Sequence, residues 1–390
     1  MEPQASARQL RTRARIAAHA LWDLMVRPEA APGSVPFHAE AITAPWVTAM
    51  FADAAPGARA EQVRIVGGDD GSSVRRGIRV DWNEAGIAAL LPTRLFAKST
   101  PTLATRLSAG MAAPSEGRFL MEVRPALDIE APVCRYSGRD ADSGRSLHLF
   151  DDLTVTRDAS FCQADTVIGR AQAEGMIDSL AALHGSLRQA AATDALAWLN
   201  TYEAFFEAGR RSGIQDGHEQ ALTKAAPVIP ARLMARRGEI WPAAMRAAAA
   251  HADQPRTVIH SDVHLGNWYV TGDGRMGLSD WARVCRGLWA RDVAYMLTAA
   301  LSVENRRAWE HELLGRYLRR VLEGFGIDIG REDAMRAYRQ QTFTALLMWT
   351  PTLCPPPMLP DMQPEHMSLA MIERICAAID DHQALDSFGG

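Results

Sequence analysis

A chain of 390 residues, 47% hydrophobic and 23% charged, has length for two or three domains and apolar content for a large core. Its formal net charge of −4 gives no general electrostatic footprint for nucleic acid, and no apolar run reaches the ~18 residues of a membrane span. Five widely spaced cysteines without a C-x-x-C speak against a disulfide framework or thiolate zinc site, and they fit a reducing cytoplasm.

Residues 1–40 read as a helical extension followed by a loop with Pro28, Pro32, Gly33 and Pro36. Four arginines fall early in it (Arg8, Arg11, Arg13, Arg15). Such a run is ordinarily a solvated helix face, although a basic amphipathic helix can also touch lipid or be a transit peptide. Residues 41–150 form a strand-rich domain. A β-prone run at 63–66 leads into a turn signal, Gly67-Gly68-Asp69-Asp70-Gly71-Ser72-Ser73. Residues 74–82 alternate partly, 95–98 read as a strand ending in Lys98, and 147–150 form an apolar strand closed by Asp151 and Asp152. Between these strands Glu116, Phe119, Leu120 and Val123 share one helical face, whose apolar members should carry Glu116 inward. Glu122 falls elsewhere and reads as solvated. Residues 151–390 are mostly helical, with one strand-and-turn insert at 257–281 and breaks at 324–326 and 351–360. The fold class is therefore α+β, a small strand-rich lobe followed by a larger helical one.

The insert carries the chemistry. It reads His260-Ser261-Asp262-Val263-His264-Leu265-Gly266-Asn267, then two β runs joined through Asp273-Gly274, then Ser279-Asp280-Trp281. Asp-Gly between β runs suggests a two-residue hairpin turn. That turn would set Asn267 opposite Asp280 on one face of the ribbon. An amide oxygen and a carboxylate suit Mg²⁺, a hard cation that takes oxygen ligands. Asp262 is then left to accept a proton from an attacking hydroxyl. A rival reading places His260, Asp262 and His264 on one face of a strand as a zinc site for hydrolysis.

The ordered set His260-x-Asp262, Asn267 and Asp280 resembles the catalytic loop and second magnesium aspartate of protein kinases. The looser form, followed by Arg291-Asp292-Val293-Ala294-Tyr295, resembles the aminoglycoside phosphotransferase and choline kinase-like superfamily. Ile42-Thr43-x-x-Trp46 and the long C-terminal helices look closest to its bacterial phosphotransferase and ecdysteroid kinase-like branch. The resemblance implies a bilobal protein kinase-like fold. It also implies ATP and Mg²⁺ as cofactors and a small-molecule hydroxyl as phosphate acceptor.

Carried over residue by residue, the resemblance makes Asp262 the catalytic base and Asn267 and Asp280 the metal ligands. It makes Lys98 the phosphate-binding lysine, held by Glu116. Gly68, Gly71 and Ser72 would cover the phosphates, although the stretch departs from Gly-x-Gly-x-x-Gly. Phe150 and Asp151 would lie at a hinge that pairs with adenine. His184 and His260 would be structural histidines. The acceptor would sit against segments 195–225 and 335–370, where Phe343, Leu346, Leu347, Trp349, Met358 and Leu359 suggest a partly apolar metabolite. A non-catalytic nucleotide-binding module is the alternative from another class. The intact set of Lys98, Asp262, Asn267 and Asp280 argues against it. Only ten residues separate Asp280 from Arg291, so no activation-loop equivalent is evident and protein phosphorylation is disfavoured.

Overall fold

The computed structural model describes residues 3–70, 73–108, 113–356 and 363–389. The chain divides into two compact units, one of residues 1–126 and 132–159, the other of residues 127–131 and 160–390.

The first unit is built on an antiparallel sheet of β1 (Ala60–Asp70), β2 (Val74–Trp82), β3 (Arg94–Ser99), β4 (Cys134–Arg139) and β5 (Ser146–Asp151), in the order β1-β2-β3-β5-β4. Its helices are α1 (Pro3–Val26), α2 (Ala44–Phe51), α3 (Glu84–Ala88), α4 (Leu103–Ser108), α5 (Ala113–Arg118) and α6 (Leu153–Thr156). On β3 burial alternates as the pleat requires, with Leu95, Ala97 and Ser99 inward. Leu95 and Ala97 pack in one core with Ile78, Val80, Leu149 and the α2 residues Trp46, Val47 and Phe51. Thr43 caps α2 by accepting from the Trp46 N–H, which fixes the entry of that helix into the core.

Two boundaries differ from the sequence reading. Helix α1 is not a separate extension: Asp23 is fully buried, accepting from Arg106 at 2.7 Å and from Arg145 at 2.9 Å, and this ties α1 into the first unit. Strand β1 runs to Asp70, through the glycines read as a turn. Gly67 and Gly68 lie at φ 135° and 145° beside a register shift, and a Cβ on Gly68 would meet the Arg75 carbonyl oxygen at 2.1 Å. The glycines therefore form a bulge in a strand rather than its end.

The second unit is helical apart from two small sheets, β6 (Ser160–Phe161) with β8 (Trp268–Val270) and β9 (Met276–Leu278), and β7 (Thr257–Ile259) with β10 (Cys285–Gly287). Its helices are α7 (Arg170–Ala192), α8 (Tyr202–Arg211), α9 (Ile214–Lys224), α10 (Ala231–Ala235), α11 (Arg237–Asp253), α12 (Ala290–Ala300), α13 (Val303–Phe325), α14 (Arg331–Leu353) and α15 (Glu365–Asp381). All residues of α12 are buried, so this helix is the axis of the unit. Helix α13 stops where expected, at Gly326 with φ 66°. Helix α14 instead continues past Pro351 to Leu353.

The β8–β9 hairpin corrects the expected register. Trp268 faces Leu278 and Val270 faces Met276, while Gly274 at φ 84° closes a three-residue loop. The pairing is thus one residue out from a two-residue turn. Asn267 meets Ser279, not Asp280, and accepts its N–H at 2.8 Å.

Candidate active site

In the first unit, the strand register sets Lys98 opposite His148 and His148 opposite Ser137, a row across three strands on one face. Glu116 arrives from α5, where the chain widens into a π turn over Phe119–Val123. Phe119 and Leu120 are buried and draw Glu116 in with them, as the shared face implied, while Glu122 is exposed and pairs with Arg118. Lys98 Nζ lies 2.7 Å from Glu116 Oε1. His148 Nε2 lies 3.6 Å from Glu116 Oε2, and its Nδ1 is 2.9 Å from Ser137 Oγ. Gly117 permits this approach, since a Cβ there would meet Ser137 Oγ at 2.1 Å. Only 4% of the Glu116 side chain and 14% of that of Lys98 is exposed, so the pair is shielded from the solvent screening that weakens surface ion pairs.

The other expected nucleotide residues fare differently. Gly68 lies in the β1 bulge, and Gly71 and Ser72 lie outside the described residues. Phe150 is buried opposite Phe96 on β3. Asp151 accepts two hydrogen bonds from Arg135 at 2.8 Å each, and its N–H donates to the Val133 carbonyl at 3.0 Å. With carboxylate and N–H both engaged, Asp151 braces the end of β5.

In the second unit, β7 ends at Ile259 and the chain turns sharply. His260 is fully buried, and burial pushes its pKa below the ordinary value despite nearby carboxylates. The neutral ring donates from Nε2 to the Ser279 carbonyl at 2.9 Å and accepts the Asp262 N–H on Nδ1 at 3.2 Å. Ser261 follows at φ 67°, a left-handed conformation unfavourable for a residue with a Cβ. Asn267 Nδ2 donates to the Asp262 carbonyl at 2.7 Å. That bond orients the amide and leaves Oδ1 as its unengaged oxygen among the described residues. Asp280 is a second left-handed residue, at φ 58°, just beyond β9.

Asp292 of α12 holds the turn. It accepts the N–H of His260 at 2.7 Å and of Ser261 at 2.8 Å, and it lies 3.3 Å from His184 Nε2. Full burial raises its pKa, but hydrogen bonding and charge from His184, with His260 beside it, outweigh that and hold the carboxyl below its ordinary value. Arg291 donates to the Ser261 carbonyl at 3.1 Å and lies over the rings of Tyr202 and Tyr295. Tyr295 donates toward Asp262 Oδ1 at 3.4 Å; burial first, then the Asp262 charge, raise its pKa well above the ordinary phenol value. His184 also contacts the Tyr317 hydroxyl at 2.9 Å, a buried structural histidine as expected.

Asp262, Asn267 and Asp280 thus belong to one hydrogen-bonded loop and hairpin, although Asn267 and Asp280 do not face each other. The zinc reading fails on geometry. Residues 260–264 are not a strand, and His260 and His264 each turn Nδ1 to a backbone N–H. Among the described residues no group of three or more His, Cys, Asp or Glu could hold a metal. Two participants went unassigned in the sequence: His148, legible only once β3 and β5 are in register, and Asp292 as the brace of the loop. The Asp292 signal lay in the Arg291-Asp292 pair at the head of an apolar helix.

The chain belongs to the phosphotransferase enzyme family, whose model matches residues 100–338. No curated protein sequence matches the chain. Among solved structures it resembles a microcompartment-associated aminopropanol kinase, with TM-score 0.50 and 12% identity over 86% of this chain and 96% of that one. It also resembles a spectinomycin phosphotransferase in complex with ADP and spectinomycin, with TM-score 0.47 and 11% identity over 88% and 99% of the two chains. The third is a choline kinase from Streptococcus pneumoniae, with TM-score 0.45 and 12% identity over 86% and 98%. At these identities the likeness is one of fold, an α+β fold of protein kinase-like type.

Proposed function

We propose that this protein transfers the terminal phosphoryl group of ATP to a hydroxyl of a small molecule, with Mg²⁺ as cofactor. The observation that carries the reading is the Asn267–Asp262 bond. It commits the amide nitrogen of Asn267 internally and leaves the oxygen, while the same loop presents the Asp262 carboxylate. Asn267 Oδ1 and the Asp280 carboxylate are hard oxygen donors of the kind Mg²⁺ takes, and they would hold it. Bound there, the ion would neutralise charge on phosphate oxygens.

The chain's own residues do the rest. Lys98, oriented by Glu116, supplies a positive charge for the phosphates. Asp262 accepts the hydroxyl proton as the acceptor oxygen attacks, and Tyr295 orients its carboxylate. Positioning and electrostatics of this kind are what phosphoryl transfer asks of a protein. The acceptor stays a small hydroxylated molecule of open class. Phe343, Leu346, Leu347 and Trp349 are core residues of α14 and do not favour an apolar acceptor, and Met358 and Leu359 lie outside the described residues.

The test is a panel of hydroxylated acceptors, including amino alcohols, aminoglycosides and apolar metabolites, with ATP-dependent product followed by mass spectrometry. Asp262→Asn should lose about 10²–10⁴ in turnover while retaining nucleotide binding. Undiminished turnover in that variant would remove Asp262 as the base.

A further inference from the structure

Helix α1 is docked by one face only. Ile16, Ala20 and Asp23 are buried, with Asp23 held by Arg106 and Arg145. The opposite side carries Leu10, Leu21, Trp22, Leu24, Met25 and Val26, each between 48% and 67% exposed. At about 100° per residue, Leu24, Leu10, Leu21 and Met25 fall on a continuous arc of about 100° turned away from the buried face, with Trp22 beyond its edge. These six are one third of the eighteen exposed large apolar side chains among the described residues. Elsewhere such residues are scattered, as on an ordinary surface; here five fall within the span 21–26.

The helix's own outward charge has one sign. Arg13 and Arg11 are exposed and border this arc on its two sides, exposed Arg15 lies beyond Trp22, and the only carboxylate in 3–26 is Asp23, which points inward and is neutralised. Arg15 is paired with Asp142, whereas no described carboxylate pairs with Arg11 or Arg13. An exposed apolar stripe with an interfacial tryptophan, arginine borders and no outward acid is the pattern of a helix lying in the plane of an anionic bilayer surface.

We infer that α1 docks this protein on the surface of anionic lipid membranes, its Leu10–Trp22–Met25 face in the headgroup region. This goes beyond phosphotransfer and does not depend on it. A second copy of the chain could also cover apolar residues, but it would bring a like-charged helix. An anionic lipid surface complements both the stripe and its borders.

The experiment is co-sedimentation of the full chain with vesicles of phosphatidylcholine alone and of phosphatidylcholine with phosphatidylserine. Binding to the second and not the first, falling as salt is raised, is the expected result. Each arginine near such a surface contributes about fivefold, so R11E/R13E should weaken binding by at least about 30-fold. L21E/M25E should abolish it, with unchanged circular dichroism and unchanged turnover. Failure of the unaltered chain to bind anionic vesicles at low salt, or binding unaffected by either double variant, overturns the proposal. So does a dimer in sedimentation velocity that L21E/M25E dissolves.

Discussion

Asp292→Asn isolates the brace on which the His260–Asn267 loop rests. The carboxylate receives the His260 N–H at 2.7 Å and the Ser261 N–H at 2.8 Å and faces His184 Nε2 at 3.3 Å, all in a fully buried setting. An asparagine keeps one acceptor oxygen and replaces the other with an NH₂ group, which must confront one of the backbone donors. A buried donor left unpaired costs about 1–3 kcal/mol, and hydrogen bonds to a charged group contribute about 1.5–3 kcal/mol each. Breaking such an arrangement should therefore cost about 3–5 kcal/mol, a large share of the roughly 5–15 kcal/mol that holds most proteins folded. Urea unfolding followed by circular dichroism measures it. The pH dependence has a definite sign. Because the folded-state pKa lies below its unfolded value of about 3.9, the contribution is complete above that value and is lost as pH falls through the folded pKa. The variant should lack that component of the acid limb. A loss below about 1 kcal/mol, or an unaltered acid limb, would refute the brace.

Other outcomes follow from the same geometry. Ser261→Gly should relieve the left-handed strain of about 1–2 kcal/mol against about 0.5–1 kcal/mol of added unfolded-state entropy. A small gain in thermal stability is expected, and a clear loss would mean that the buried hydroxyl matters more than the backbone. Glu116→Gln removes the charge holding Lys98 and should lower kcat/KM for ATP about 10- to 10²-fold, the equivalent of one charge-assisted hydrogen bond. His148→Phe should raise KM for ATP about 2- to 10-fold with kcat kept, and His148→Gln should restore it by supplying a donor. A fall in stability alone, with both kinetic constants unmoved, would make His148 merely structural.

The loop from His260 to Asn267 was readable in the sequence because its contacts are local. Asn267 reaches Asp262 across five residues, and the residue types appear in the order their chemistry needs. Glu116 was readable because Phe119 and Leu120 share its face and have to go inward. Features that depend on long-range partners were not readable. Asp23 finds Arg106 and Arg145 at separations of 83 and 122 residues, so α1 looked like a free extension. His148 acquires its neighbours only through strand pairing. Asp273-Gly274 admits both a two- and a three-residue loop, and that one-residue ambiguity moved Asn267 from Asp280 to Ser279. On α14, buried residues such as Phe343 and Leu346 have the composition of an apolar binding surface, and composition alone could not separate the two.

Calorimetric titration of ATP, with and without Mg²⁺, into the unaltered chain, Asp280→Ala and Lys98→Ala addresses the central claim most directly. The account predicts magnesium-dependent binding to the unaltered protein that each substitution abolishes or greatly weakens. Equal affinity in all three proteins, or no nucleotide binding by the unaltered chain, would contradict it.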